Sequence, residues 1–135
     1  VRLKQKTMKR EKIELEYLLE APSKEILWNV ISTASGLESW FADKVNIKDK
    51  KVTFTWKKSE TKEAEIVGYR LYSFIRFRWM ENMNRGEYFE IRMVQNELTN
   101  EYVLEVVDFA NEEEVDDQID LWDAEIDRLR EVAGL

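Results

Sequence analysis

Val115, Ile119, Trp122, Ile126, Leu129 and Ala133 recur at spacings of 4, 3, 4, 3 and 4, a continuous apolar stripe along one face of a helix that occupies the C-terminal end of the chain. A stripe of that length has to be buried against another layer, and it limits the folds open to this chain more than any other feature. Asn111 is placed to cap the helix, Glu112, Glu113 and Glu114 stand in its first turn, where the helix dipole favours negative charge, and Gly134 stands where a C-cap glycine belongs.

The layer that receives the stripe reads as a sheet. From Lys12 to Ala21 the residues Ile13, Leu15, Tyr17 and Leu19 alternate with Glu14, Glu16 and Glu20, the period of two of a half-buried strand. Pro22 stops it. Ser23 is placed to cap a helix over 24–34 with Ile26, Leu27, Val30 and Ile31 on one face, and Gly36 to end it in the left-handed conformation. Ser35 and Glu38 have capping-box spacing, and Leu37, Trp40 and Phe41 share one helical turn, which predicts a second, short helix. Strands are then predicted over 44–48, 51–57, 62–71, 73–80, 87–95 and 101–108, with connections short enough to require antiparallel hairpins. Val52, Phe54 and Trp56 alternate with Thr53, Thr55 and Lys57, and Ile75, Phe77 and Trp79 with Phe74, Arg76 and Arg78, so each strand has a wet face and an aromatic face. Around Gly68 the apolar parity switches from Ala64 and Ile66 to Tyr69 and Leu71, the effect of one extra residue at a bulge that bends the sheet. The fold class is α+β: one strand, two helices, six strands and one helix, with a curved antiparallel sheet around the last helix.

A chain of 135 residues suffices for one such core and not for two, and 44% hydrophobic residues supply it. The expected organisation is a basic N-terminal tail over residues 1–10 and a single domain over 11–135. Arg2, Lys4, Lys6, Lys9, Arg10 and Lys12 make the tail basic, read as a solvated terminus in preference to a phosphate-binding arm, and Met8 is an alternative natural start. A net charge of −7 disfavours nucleic acid and anionic membranes as partners, no window approaches the apolar length of a membrane span, and a chain without cysteine suits the cytoplasm.

The element order, with Ala21-Pro22-Ser23 opening the first helix, Ser39-Trp40-Phe41 in the second, Phe54-Thr55-Trp56, Phe77-Arg78-Trp79 and Leu121-Trp122-Asp123, resembles the START-like, helix-grip superfamily. The nearest branch is similar to the activator-of-heat-shock-protein-ATPase homology group, and within it to a small bacterial START-like subfamily whose last helix is preceded by the same acidic run, Asp108-Phe109-Ala110-Asn111-Glu112-Glu113. The resemblance covers about residues 11–133. It implies a sheet wrapped around the last helix and a cavity between them, which in many members holds a lipid, sterol, hormone or polyketide. By that resemblance the aromatic face lines a cavity.

The absence of histidine and cysteine removes the commonest general base, the usual zinc ligands and the thiol nucleophile. Four scattered glycines assemble no phosphate loop, dinucleotide-binding run or serine elbow. The acidic run Glu112, Glu113, Glu114, Asp116, Asp117 and Asp120 lacks the ligand spacing and turn glycine of an EF-hand, so no metal or cofactor is expected. Glu90, Tyr69, Tyr88 and Tyr102 are the candidates for acid–base chemistry. Strand parity sets Glu90 with Tyr88 and Arg92 on the face opposite Phe89, Ile91 and Met93, in solvent beside Arg76 and Arg78, where cross-strand pairing accounts for it. The expected function is therefore non-catalytic binding of a hydrophobic small molecule, lined by Trp40, Phe41, Phe54, Trp56, Phe77, Trp79, Phe89, Tyr102, Trp122 and Ile126. Each of these side chains taken singly also fits an ordinary core position. The alternatives are a protein-interaction module with a protein partner, as in the chaperone-ATPase activator group, and a cyclase- or dehydratase-like enzyme.

Overall fold

The computed structural model describes residues 9–135, apart from the side chains of residues 83–85. Its strands are β1 (Arg10–Leu19), β2 (Lys44–Lys48), β3 (Lys51–Trp56), β4 (Glu60–Arg70), β5 (Phe74–Trp79), β6 (Phe89–Gln95) and β7 (Tyr102–Asn111); its α-helices are α1 (Lys24–Ser32), α2 (Ala34–Trp40) and α3 (Val115–Ala133). All seven strands form one antiparallel sheet in the order β1-β7-β6-β5-β4-β3-β2. The six strands β2 to β7 make a hairpin meander, while α1 and α2 carry the chain from β1 at one edge to β2 at the other. The curved sheet and the long C-terminal helix form the helix-grip arrangement.

Alternation decides which side chains enter the core. Val52 and Phe54 of β3, Ile75 and Phe77 of β5, and Tyr102, Leu104 and Val106 of β7 are buried, as is the stripe Trp122, Ile126 and Leu129 of α3. Two cross-links fix α3 over β1: the Tyr17 hydroxyl donates to Asp123 Oδ1 at 2.6 Å, and Arg130 Nη2 donates to the Leu18 carbonyl at 3.0 Å. The register of β4 against β5 shifts between Ile66 and Gly68, the bulge expected from the parity switch. Ser23 caps α1 by accepting from the Ile26 N–H at 3.2 Å, and Gly134 closes α3 at φ 68°.

Several local expectations are corrected. Gly36 does not end α1; it lies inside α2, packed so closely against α1 that a Cβ would stand 2.1 Å from the Asn29 carbonyl oxygen. Its lack of a side chain, not a left-handed backbone, is what the site requires. Ser35 and Glu38 form no capping box: Thr33 caps α2 by accepting from the Gly36 N–H at 2.9 Å, and Glu38 Oε1 accepts from the Val45 N–H at 2.9 Å, clamping the start of β2. β7 continues through residue 111, so Glu112–Glu114 form a 3-10 turn ahead of α3, and the Asn111 side chain accepts from Arg10 Nη1 instead of capping. A second 3-10 segment, Met80–Arg85, replaces the loop expected after β5. β1 begins at Arg10, inside the stretch read as a tail, whereas Arg2, Lys4, Lys6 and Met8 lie outside the described residues. Glu90 is on the predicted face but only 5% exposed. Arg76 covers it with hydrogen bonds of 2.8 and 3.0 Å, and Arg92 Nε stands 3.5 Å away; Arg78 reaches the Glu87 carbonyl instead.

Candidate ligand cleft

Where the N-terminal half of α3 crosses the ends of β5, β6 and β7, the two layers separate and leave a cleft of about 510 Å³. That lies within the usual range of small-molecule sites, about 300–1,000 Å³. Five of its lining residues are aromatic and belong to the predicted set: Phe41, Trp56, Trp79, Phe89 and Trp122. Their rings form a continuous wall, with centroids of Phe41 and Phe89 5.7 Å apart, Trp79 and Phe89 5.0 Å, Phe41 and Trp56 6.0 Å, and Phe41 and Trp122 5.7 Å. The other five predicted residues, Trp40, Phe54, Phe77, Tyr102 and Ile126, are buried away from the cleft lining. Phe54 and Phe77 pack behind the wall, Phe77 stacking on Phe89 at 4.7 Å and Phe54 on Trp56 at 5.8 Å.

The wall is held by its polar atoms as well as its faces. Trp40 Nε1 donates to the Val30 carbonyl at 2.8 Å, tying α2 to α1, and Trp56 Nε1 donates to the Phe41 carbonyl at 2.9 Å, tying β3 to the end of α2 at the cleft's edge. Trp122 Nε1 donates to Asp108 Oδ2 at 2.8 Å. Asp108 occupies an inward position of β7 and is 7% exposed; it also accepts from Gln118 Nε2 and the Phe109 N–H, both at 2.8 Å. Burial raises its carboxyl above the usual range, opposed by those three hydrogen bonds.

Glu125 is the other inward carboxyl, one helical turn beyond Trp122. It is half-buried, and among the described residues it makes no hydrogen bond or ion pair. Burial pushes it up to about 8, with Arg128 opposing and Asp108 adding to the rise. The cleft is acidic: besides Asp108 and Glu125 it is bordered by Glu60, Glu81, Glu87 and Glu114, against Arg10, Lys57 and Lys62. Arg10 pairs with Glu87, and Lys62 pairs with Glu81 at 3.4 Å while standing 5.4 Å from the centre of the Trp79 ring.

Asp108 and Glu125 were missed as candidates at the sequence level. The signal was present: Asp108 interrupts the inward series Tyr102, Leu104, Val106 and Ala110, and Gln118, Trp122 and Glu125 share one helix face at i, i+4 and i+7. Of the acid–base candidates, Tyr69 is exposed, Glu90 is on the outer face and Tyr102 is buried away from the cleft, while Tyr88 is at the cleft with its ring 4.2 Å from the Arg76 guanidinium. Among the described residues no group of acidic side chains is arranged to hold a metal ion, and no helix is long and apolar enough to cross a membrane.

A sheet gripping its last helix, with an aromatic cleft between them, defines the START-like class. The chain belongs to the START-like superfamily, whose domain profile matches residues 7–135. Among solved structures it is similar to a Bacteroides fragilis protein determined by solution NMR, with 57% identity, coverage of 92% of this chain and 91% of that one, and a TM-score of 0.67. The Aha1 dimer from Colwellia psychrerythraea matches with 14% identity over 75% of this chain and 76% of that one, TM-score 0.62. The Mesorhizobium loti protein MLL2253 matches with 10% identity over 90% and 96%, TM-score 0.73. At these identities the last two share the fold alone. No curated protein matches the chain.

Proposed function

We propose that this domain binds a small molecule with an apolar body in the cleft between α3 and the sheet and releases it unchanged. The observation that supports this is the wall of five aromatic rings bordering about 510 Å³ of open space, backed by the buried rings of Phe54 and Phe77. Three of the five tryptophans in the chain, Trp56, Trp79 and Trp122, border the cleft, so occupancy has an intrinsic reporter. Titration with sterols, fatty alcohols and polycyclic aromatics should give a saturable change in tryptophan emission with one-to-one stoichiometry by native mass spectrometry. Absence of saturation across all three classes would sink the reading.

A catalytic reading has one observation in its favour: the raised carboxyl of Glu125 is suited to act as a general acid near neutral pH. Asp108, the other inward carboxyl at the cleft, is not free to serve as its partner, because both of its oxygens are already engaged. Recovery of bound molecules with altered mass would favour catalysis over binding. The protein-interaction alternative draws on the likeness to Aha1, which reaches the fold alone.

A further inference from the structure

Glu125 is the one inward carboxyl at the cleft with no hydrogen bond or ion pair among the described residues. A carboxyl drawn part-way out of water and left without a donor is costly, and that cost is relieved when a ligand brings a donor to it. Asp108, its neighbour on β7, cannot accept the same role because its oxygens already take three hydrogen bonds. Trp122 stands one turn from Glu125, and its ring and that of Phe41, 5.7 Å apart, border the same cleft. Acidic groups outnumber cations around the opening, and two of the cations are paired with Glu87 and Glu81. That field opposes a fatty acid and favours a positive headgroup.

Resting on the reading of the cleft as a ligand site, we propose that it selects an apolar molecule carrying a protonated amine, the ammonium seated at Glu125 and the apolar body lying along Trp56, Trp79 and Phe89. Binding then requires Glu125 to ionise. A carboxyl pushed up to about 8 gives up its proton to make the pair, so amine binding releases a proton below that pH. Arg128 on its own helix and Asp108 on β7 act on it directly, and Arg10, Lys57, Glu60, Lys62, Glu81, Glu87 and Glu114 line the same cleft. Asp108 is also raised by burial and is held by three hydrogen bonds, so the part of the pH response that disappears in Glu125→Gln is the part assigned to Glu125.

The test uses three probes of one chain length, decylamine, decanol and decanoate, each below its micelle concentration, with tryptophan emission and calorimetry as readouts. At pH 8 decylamine should bind at least about tenfold more tightly than decanoate and more tightly than decanol. Its affinity should rise by up to about fiftyfold between pH 6 and pH 8, following the ionisation of Glu125, while that of decanol stays level. Glu125→Gln should erase the preference of amine over alcohol and leave decanol binding within about twofold, whereas the same change at exposed Glu131 should leave all three unchanged. Equal affinity for decanoate and decylamine, or an amine preference that survives Glu125→Gln, would overturn the inference. Decanol binding with no amine advantage overturns it alone; failure of all three probes overturns the ligand-site reading with it.

Discussion

Beneath the C-terminal half of α3, Ile126 and Leu129 are fully buried, and Arg130 ties the helix to the Leu18 carbonyl, next to the Leu19–Tyr102 pair that closes the β1–β7 ladder. Beneath its N-terminal half, Gln118, Leu121, Trp122 and Glu125 border open space. Both halves lie on one helix and face one sheet. The difference lies in side-chain shape and polarity. Branched aliphatics such as Leu19, Leu104, Ile126 and Leu129 are closed off from solvent, whereas flat rings meeting at 22° to 64° and carboxyl-bearing chains border the open space. A fold that grips its helix can thus be solid at one end and receptive at the other without a change of backbone.

This comparison predicts unequal costs. Leu129→Ala, in the solid half, should lose about 2–5 kcal/mol of stability in urea unfolding and leave ligand affinity of the folded fraction unchanged. Leu121→Ala, at the cleft and half exposed, should cost less than about 1 kcal/mol. Equal losses would mean that the two halves are packed alike. Next in size is Asp108→Ala, which strands the Trp122 indole N–H, the Gln118 amide and the Phe109 N–H together. It should cost on the order of 2–3 kcal/mol and shift the emission of Trp122, while Asp108→Asn, which keeps an acceptor for the indole, should cost about half as much.

How far the sequence reveals this comparison depends on the kind of information involved. The stripe of α3, the two-residue period of the strands and the bulge at Gly68 are local patterns, and each appears where the spacing puts it. The division of ten apolar and aromatic candidates into five that line the cleft and five that do not depends on where α3 parts from the sheet, which no local pattern encodes. Trp40 and Trp122 have the same alternatives in sequence, yet one donates to a helix carbonyl in a closed core and the other to Asp108 at the cleft. Asp108 and Glu125 were legible as polar interruptions of apolar patterns, but such interruptions are easily assigned to solvent when the partner element is unknown. Glu90 shows the converse: parity set it on the outer face, and the long chains of Arg76 and Arg92 buried it there.

The smallest effect should be the one that resolves the two halves by pH. Glu125 carries its proton up to about 8 in the folded chain and to about 4.3 when exposed to water, so between these values the folded state holds more protons than the unfolded state. Stability attributable to this group is therefore fully present below the lower value and is lost as pH rises through the upper one. Asp108, also raised by burial, adds a loss of the same sign, so the two contributions are separated by difference. Glu125→Gln should stabilise the protein relative to wild type by on the order of 1–2 kcal/mol at pH 9, a value reduced by the cleft's access to water, and by at most about 0.3 kcal/mol at pH 4. The same pair of measurements on Leu129→Ala should show a deficit that does not change between these pH values, because the substitution removes no titrating group. A pH-independent difference for Glu125→Gln would place that carboxyl in ordinary solvent, and the open half would then be polar surface with an aromatic floor instead of a partly desolvated site.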